Sequence, residues 1–208
     1  MPPAARLHIL LASEADYAVI IRRGPSKRVC TIGWDRTNDT FTVGQWLKGR
    51  IYERRSDLSP DGKHMIYFAM NGKWHSETGG SWTAISRAPY LKAVGLWAKG
   101  DCWHGGGLFL TNSTFWINHG YGHRVLTSPL MLHEVDEPPF DPCYGGECPG
   151  VYFIRLQRDG WQLQSMEASE SRSVHTFEKR VSATWILRKH AVATCDHAEG
   201  RGCYYGSA

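Results

Sequence analysis

Ser59-Pro60-Asp61-Gly62-Lys63-His64-Met65-Ile66-Tyr67-Phe68-Ala69 reads as a tight turn feeding a strand. Pro60 presets φ at the first corner, the Asp61 side chain hydrogen-bonds to nearby backbone, and Gly62 takes a positive-φ position that most residues resist. The strand that follows ends at Asn71-Gly72, another turn pair. Working outward, Tyr17 to Ile21, Arg28 to Trp34 and Thr40 to Trp46 carry further strand signals. Asp35-Arg36-Thr37-Asn38-Asp39 is turn chemistry between the last two, so those two read as a hairpin. Ser81 to Ser86, Ala93 to Trp97, Leu130 to Val135, His175 to Phe177 and Ser182 to Leu187 are strand candidates too.

Composition points the same way. The 22 Gly supply turns, and the 9 Trp and 9 Tyr suit a pleated, half-buried surface better than a helix. With 208 residues, 42% hydrophobic and 21% charged, the chain is expected to fold as one domain, residues 1–208, with a real core. Helix is expected to be sparse, tolerated only at Ala168 to Arg180 and around Arg188 to Ala193.

Leu58 to Ala69, twelve residues, resembles the strand–turn signature of TolB-like and WD40-like β-propeller repeats. Gly62, Gly106 and Gly150 recur 44 residues apart, close to the ~40–45-residue blade period of such propellers. The second unit runs from Gly105-Gly106-Gly107 through Leu108 to Leu110 and Thr114 to Asn118. The third runs from Pro149-Gly150 through a strand at Val151 to Leu156, a turn at Arg158-Asp159-Gly160, and Trp161 to Gln164. The resemblance implies a small all-β, mainly antiparallel propeller. A twisted β-sandwich stands beside it, because no Trp-Asp pair or Gly-His start recurs.

The net charge of +4 is too small to imply nucleic acid, but it is unevenly placed: Met131 to Glu170 carries −6 and the remainder +10. The basic residues Arg22, Arg23, Lys27 and Arg28 lie close together near the N-terminus; a basic face there and an acidic later segment suit steering of a partner, with ordinary solvated surface as the alternative. No stretch approaches the ~18 apolar residues of a membrane helix. The N-terminal run lacks the pattern of a signal peptide, and a cytoplasmic protein is expected.

Two constellations carry chemistry. The first spans Asp101-Cys102-Trp103-His104 and Trp116 to Arg124. Linked strands would bring His104, His119, Tyr121 and His123 to one rim as acid–base groups, with Asp101, Trp103, Trp116 and Arg124 as ligand contacts. The second is Cys143 and Cys148, separated by four residues, with Cys195 and Cys203 bracketing a second Gly-bearing segment. Such pairs suit a structural zinc, with disulfides or unlinked thiols as the alternatives. His104-Gly105-Gly106-Gly107 superficially matches an esterase oxyanion segment, but no Gly-x-Ser-x-Gly elbow accompanies it.

The leading expectation is a binding module, of adaptor, regulatory or toxin-neutralising type, that uses a loop-lined face to recognise a protein or small acidic ligand. A small hydrolase or lyase built on residues 101–124 comes second, and nucleic-acid binding third.

Overall fold

The computed structural model describes residues 5–24, 27–119, 122–136, 144, 148–169, 172–196 and 201–207, with the side chains of 172 and 193–207 excepted. Two compact units divide the chain, Met1–Ile154 and Arg155–Ala208. The class is all-β as expected, with antiparallel-rich sheets and one α-helix among the described residues. No described helix is long and apolar enough to cross a membrane.

In the first unit, β1 (Arg6–Leu11), β2 (Tyr17–Arg23), β3 (Arg28–Asp35) and β4 (Thr40–Lys48) form an antiparallel meander in chain order. A second sheet runs β12 (Arg124–Thr127), β9 (Ala93–Ala98), β8 (Ser81–Arg87), β7 (His64–Met70), β5 (Arg50–Ile51), and β6 (Asp57–Leu58) also pairs with β7. The third sheet is β10 (Gly107–Phe109), β11 (Thr114–Ile117) and β13 (His133–Glu134).

These sheets are layers, and β7 explains why. Its residues Met65 to Ala69 are all buried, so both of its faces need cover. Met65, Tyr67 and Ala69 pack with Leu10, Val19, Ile21 and Val29 from the first sheet. Ile66 points the other way and packs with Phe109, Phe115 and Ile117 of the third sheet. Each fully buried side chain of this size contributes roughly 1.5–3 kcal/mol. The Tyr67 hydroxyl donates to the Leu91 carbonyl at 2.8 Å, and the Phe109 N–H donates to buried Asp57 at 2.8 Å. The turn before β7 forms as its sequence dictates: Gly62 has φ +75 and its N–H donates to the Ser59 carbonyl at 2.8 Å.

The third unit of the sequence recurrence needs correction. Val151 to Leu156 is not a strand but part of α1 (Cys148–Arg158), and Gly150 lies inside that helix. Pro149 suits a helix's first turn. The segment Arg158-Asp159-Gly160, expected as a hairpin turn, is the helix C-cap. Gly160 has φ +85, its N–H donates to the Gln157 carbonyl at 3.0 Å, and the Trp161 N–H donates to the Leu156 carbonyl at 2.9 Å. That is a Schellman pattern, and it uses the same positive-φ glycine a hairpin would. Val151 and Ile154, three apart, then cover Leu108 and Trp116 on the outer face of the third sheet.

The two places where helix was tolerated are strands. In the second unit, β14 (Gln162–Ala168), β15 (Arg172–Arg180), β16 (Ile186–Asp196) and β17 (Arg201–Ser207) form an antiparallel meander. β15 and β16 hold nine consecutive register pairs. Val174, Thr176 and Phe177 favour the pleated conformation over a helix.

Two glycines test the layering. A Cβ at Gly106 would sit 1.8 Å from the Arg55 carbonyl oxygen, with φ at +76, whereas one at Gly72 (φ +71) meets nothing within 4 Å. Gly106→Ala is expected to cost upwards of ~3 kcal/mol in urea unfolding and Gly72→Ala only about 1 kcal/mol. Equal costs would show that the two backbones are not packed as described.

Candidate functional site

The loop before β10 and the loop after β11 do meet at one end of the third sheet. The Gly105 N–H donates to the Asn118 carbonyl and the Asn118 N–H to the Gly106 carbonyl, both at 2.9 Å. Arg55, buried at the end of the 3₁₀ turn Glu53–Arg55, fixes this end. Its Nη1 donates to the Cys102 and His104 carbonyls at 2.7 and 2.5 Å, and Nε donates to Cys148 Sγ at 3.3 Å. The guanidinium also lies 4.9 Å from the Tyr52 ring centroid and 5.3 Å from that of Phe68, so planar charge is stabilised on several sides.

His119 and His123 are brought together, their ring centroids 5.1 Å apart. His123 Nδ1 lies 3.1 Å from the His119 carbonyl, which can only accept. Nδ1 therefore carries the hydrogen, and Nε2 accepts from the Thr83 hydroxyl at 3.1 Å. Thr83 Oγ1 in turn accepts from the Gly106 N–H at 2.9 Å. Every polar atom in this chain is satisfied when the imidazole is neutral. Burial, then the neighbouring His119 imidazole, pushes its pKa down to about 4. His123 is a neutral staple that ties its loop to β8.

His119 is different. Its Nε2 pairs with Glu134 Oε1 on β13, and its side chain is 42% exposed. A carboxylate-oriented, accessible imidazole can take up or give a proton at its other nitrogen. Lys99, with no side-chain exposure, pairs with Asp101 at 2.8 Å. Asp101 Oδ1 also accepts from the Trp103 N–H at 2.9 Å.

Of the expected ligand contacts, Arg124 and Trp116 fall elsewhere. The Arg124 guanidinium donates to the Glu77 carbonyl at 2.8 Å. Trp116 is buried against α1, and Trp103 is half exposed. His104 holds φ +54 on the loop that Arg55 clamps. Tyr121 and Cys143 lie outside the described residues, as do the side chains of Cys195 and Cys203. Among the described residues no group of three or more His, Cys, Asp or Glu is placed to hold a metal ion.

Sequence reading missed Lys99, Glu134, Thr83 and Arg55. It missed the largest feature altogether, the outer face of the first sheet. Strand register places three rows across it: Leu7, Arg22, Cys30 and Trp46; Ile9, Ile20, Ile32 and Val43; Leu11, Ala18, Trp34 and Phe41. Phe41 and Val43 share a face by alternation, while Trp46 by parity belongs on the other. A bulge in β4 opposite Cys30 and Ile32 adds one residue and turns Trp46 onto the same face. Gly44 marks the spot, for its Cβ would meet the Pro89 carbonyl oxygen at 2.4 Å. Arg22 reaches over Cys30 to lie 5.7 Å from the Trp46 ring centroid, and Trp34 stacks on Phe41 at 5.8 Å. The Trp34 Nε1–H donates to Asp39 at 2.7 Å.

Six of these residues are large apolar groups facing water, with Leu7 64%, Val43 64% and Trp46 58% exposed. Together with Ile9, Leu11 and Phe41 they expose on the order of 700 Å², more than the few-hundred-Å² patch of a typical monomer. Arg22 is the only charged residue in the three rows.

The neutral state of His123 sets a pH dependence. The native pKa lies below the ordinary 6.5, so on acidification the unfolded chain takes up the proton first. Its contribution is present above pH 6.5 and is lost as pH falls through the window between 6.5 and about 4. Relative to His123→Asn, the native chain is expected to lose about 2 kcal/mol more between pH 7 and pH 4.5, measured by urea unfolding at each pH. An identical pH profile in both proteins would contradict the neutral staple. Set against protein-family models, curated proteins and solved structures, the chain matches none.

Proposed function

We propose that this chain is a protein-binding module whose working surface is the outer face of β1–β4. The observation that carries this reading is the composition of that face: nine apolar side chains, Ala18, Cys30 and one arginine in three register rows, without an acidic group. Exposed Trp and Phe beside an Arg, with acids absent, is the make-up of an interface centre rather than of a solvated sheet. The layering supports the same reading. The third sheet's outer face is covered by α1, whereas stacked units ordinarily end in a polar cap, and the first sheet ends in an apolar one. Basic residues flank the face at the end where Arg28 pairs with Lys48, so the favoured partner presents an apolar surface with acidic groups beside it.

The test is photo-crosslinking from an amino acid placed at position 43 in the producing cell. A discrete protein adduct is expected, reduced at least about thirtyfold by Trp46→Asp with Phe41→Asp, the magnitude of losing interface anchors. Thermal stability should stay within a few degrees, because both side chains already face water. An adduct that survives both changes would refute this use of the face.

A second reading, a hydrolase or lyase acting on an acidic ligand, is favoured by the accessible His119 held by Glu134. It expects any hydrolytic activity of the purified chain to fall about a hundredfold or more in His119→Asn, with unchanged stability. Activity that persists in that variant would remove this alternative.

A further inference from the structure

Resting on the reading of the β1–β4 face as a binding surface, we infer that its occupant is a second copy of this chain, packed sheet on sheet about a two-fold axis. The charges at the two ends of the sheet choose the geometry. One end carries Arg22, Arg28 and Lys48 on the outward-facing rows, with Lys27 in the adjoining turn. The other carries Asp16 and Asp39 beside Arg36, which Asp16 engages at 3.4 Å, while Glu14 turns inward to the Asn112 amide and Asp35 to Tyr17. A face-to-face two-fold axis parallel to the strands would set basic end on basic end. An axis running across the strands sets each basic end over the partner copy's acidic end.

That second arrangement also matches the apolar rows. It lays each strand over its own copy, antiparallel. The middle row, Ile9 to Val43, packs on itself, and the row holding Arg22 and Trp46 meets the row holding Trp34 and Phe41. Arg22 then gains the Trp34 ring as a second aromatic neighbour. Aligned sheets of this kind pack with side chains interdigitating across the gap. The ~700 Å² of exposed apolar residues approaches the roughly 800 Å² per partner of a standard interface. Two copies would convert the exposed outer face of the first sheet into a buried core.

Sedimentation equilibrium of the full chain over a range of concentrations tests this inference. The wild type is expected to reach the mass of two chains. Val43→Asp, an exposed position, should weaken association at least about tenfold without unfolding the chain. Reversing the basic end (Arg28→Glu with Lys48→Glu) or the acidic end (Asp16→Lys with Asp39→Lys) should each weaken it about tenfold, and combining all four changes should restore it. A second, independent readout is thiol cross-linking: with Cys102, Cys143, Cys195 and Cys203 changed to Ser, Ile32→Cys should be joined to its own copy by a short bismaleimide that spans the roughly 10 Å between facing sheets. A chain that stays monomeric throughout overturns the inference. So does a dimer indifferent to Val43→Asp and to both charge reversals. If the chain is monomeric while the position-43 adduct with another protein persists, the binding face stands and only the second copy is lost.

Discussion

The strand β7 is buried on both of its faces, and a strand in that condition can exist only inside a stack. Met65, Tyr67 and Ala69 need the first sheet, and Ile66 needs the third. From this one requirement the order of the sheets in the first unit follows: first, second, third; α1 covers Leu108 and Trp116, and its Tyr152 ring reaches His8 of β1. Hydrogen bonds fall in line with the packing. Asp57, buried beside β7, takes the Phe109 N–H and so joins the second sheet to the third. Arg55, just upstream, draws the Cys102 and His104 carbonyls down onto the same layer.

A stack of layers has two ends, and here they are treated differently. One end is closed by the helix, whose Val151 and Ile154 cover the outer face of the third sheet. The other is an apolar face left in water. A regular β4 would have turned Trp46 inward and Leu47 out; the shifted register instead packs Leu47 onto the core beside Val29 and puts Trp46 outside. The bulge at Gly44 and Gln45 makes that shift, and the Gln45 side chain also accepts the Leu91 N–H at 2.5 Å. A local irregularity that places a tryptophan in solvent, beside an arginine, is a costly feature for a monomer. It is a sensible one for a surface that spends its time covered.

Much of the fold was legible in the sequence because strand and turn chemistry are local. The Ser59 to Gly62 turn, the β3–β4 hairpin and the strands β7, β8 and β9 follow from residues a few positions apart. α1 was misread because Val151 to Leu156 is apolar enough for a buried strand, and because a glycine at position 160 serves a hairpin and a Schellman cap equally well. Its helical nature is decided by Leu108 and Trp116, over thirty residues away in sequence. The meeting of the His104 and His119 loops was legible as a consequence of hairpin pairing. The roles within it were not. Whether His123 is a base or a staple depends on Thr83, whose contribution comes from β8, and on Glu134 claiming His119 instead. The sheet face was hidden for a similar reason. Alternation in Leu7, Ile9 and Leu11 announces an apolar side, but not whether that side meets a core or water.

The most direct measurement is hydroxyl-radical footprinting of the aromatic residues as the protein is concentrated. Phe41 and Trp46 should become protected with rising concentration, while Trp74 and Trp103, half exposed but away from the β1–β4 face, keep constant reactivity. Unchanged labelling of Phe41 and Trp46 at every concentration, or protection centred on Trp74 and Trp103, would contradict a β1–β4 face that is covered by a second copy.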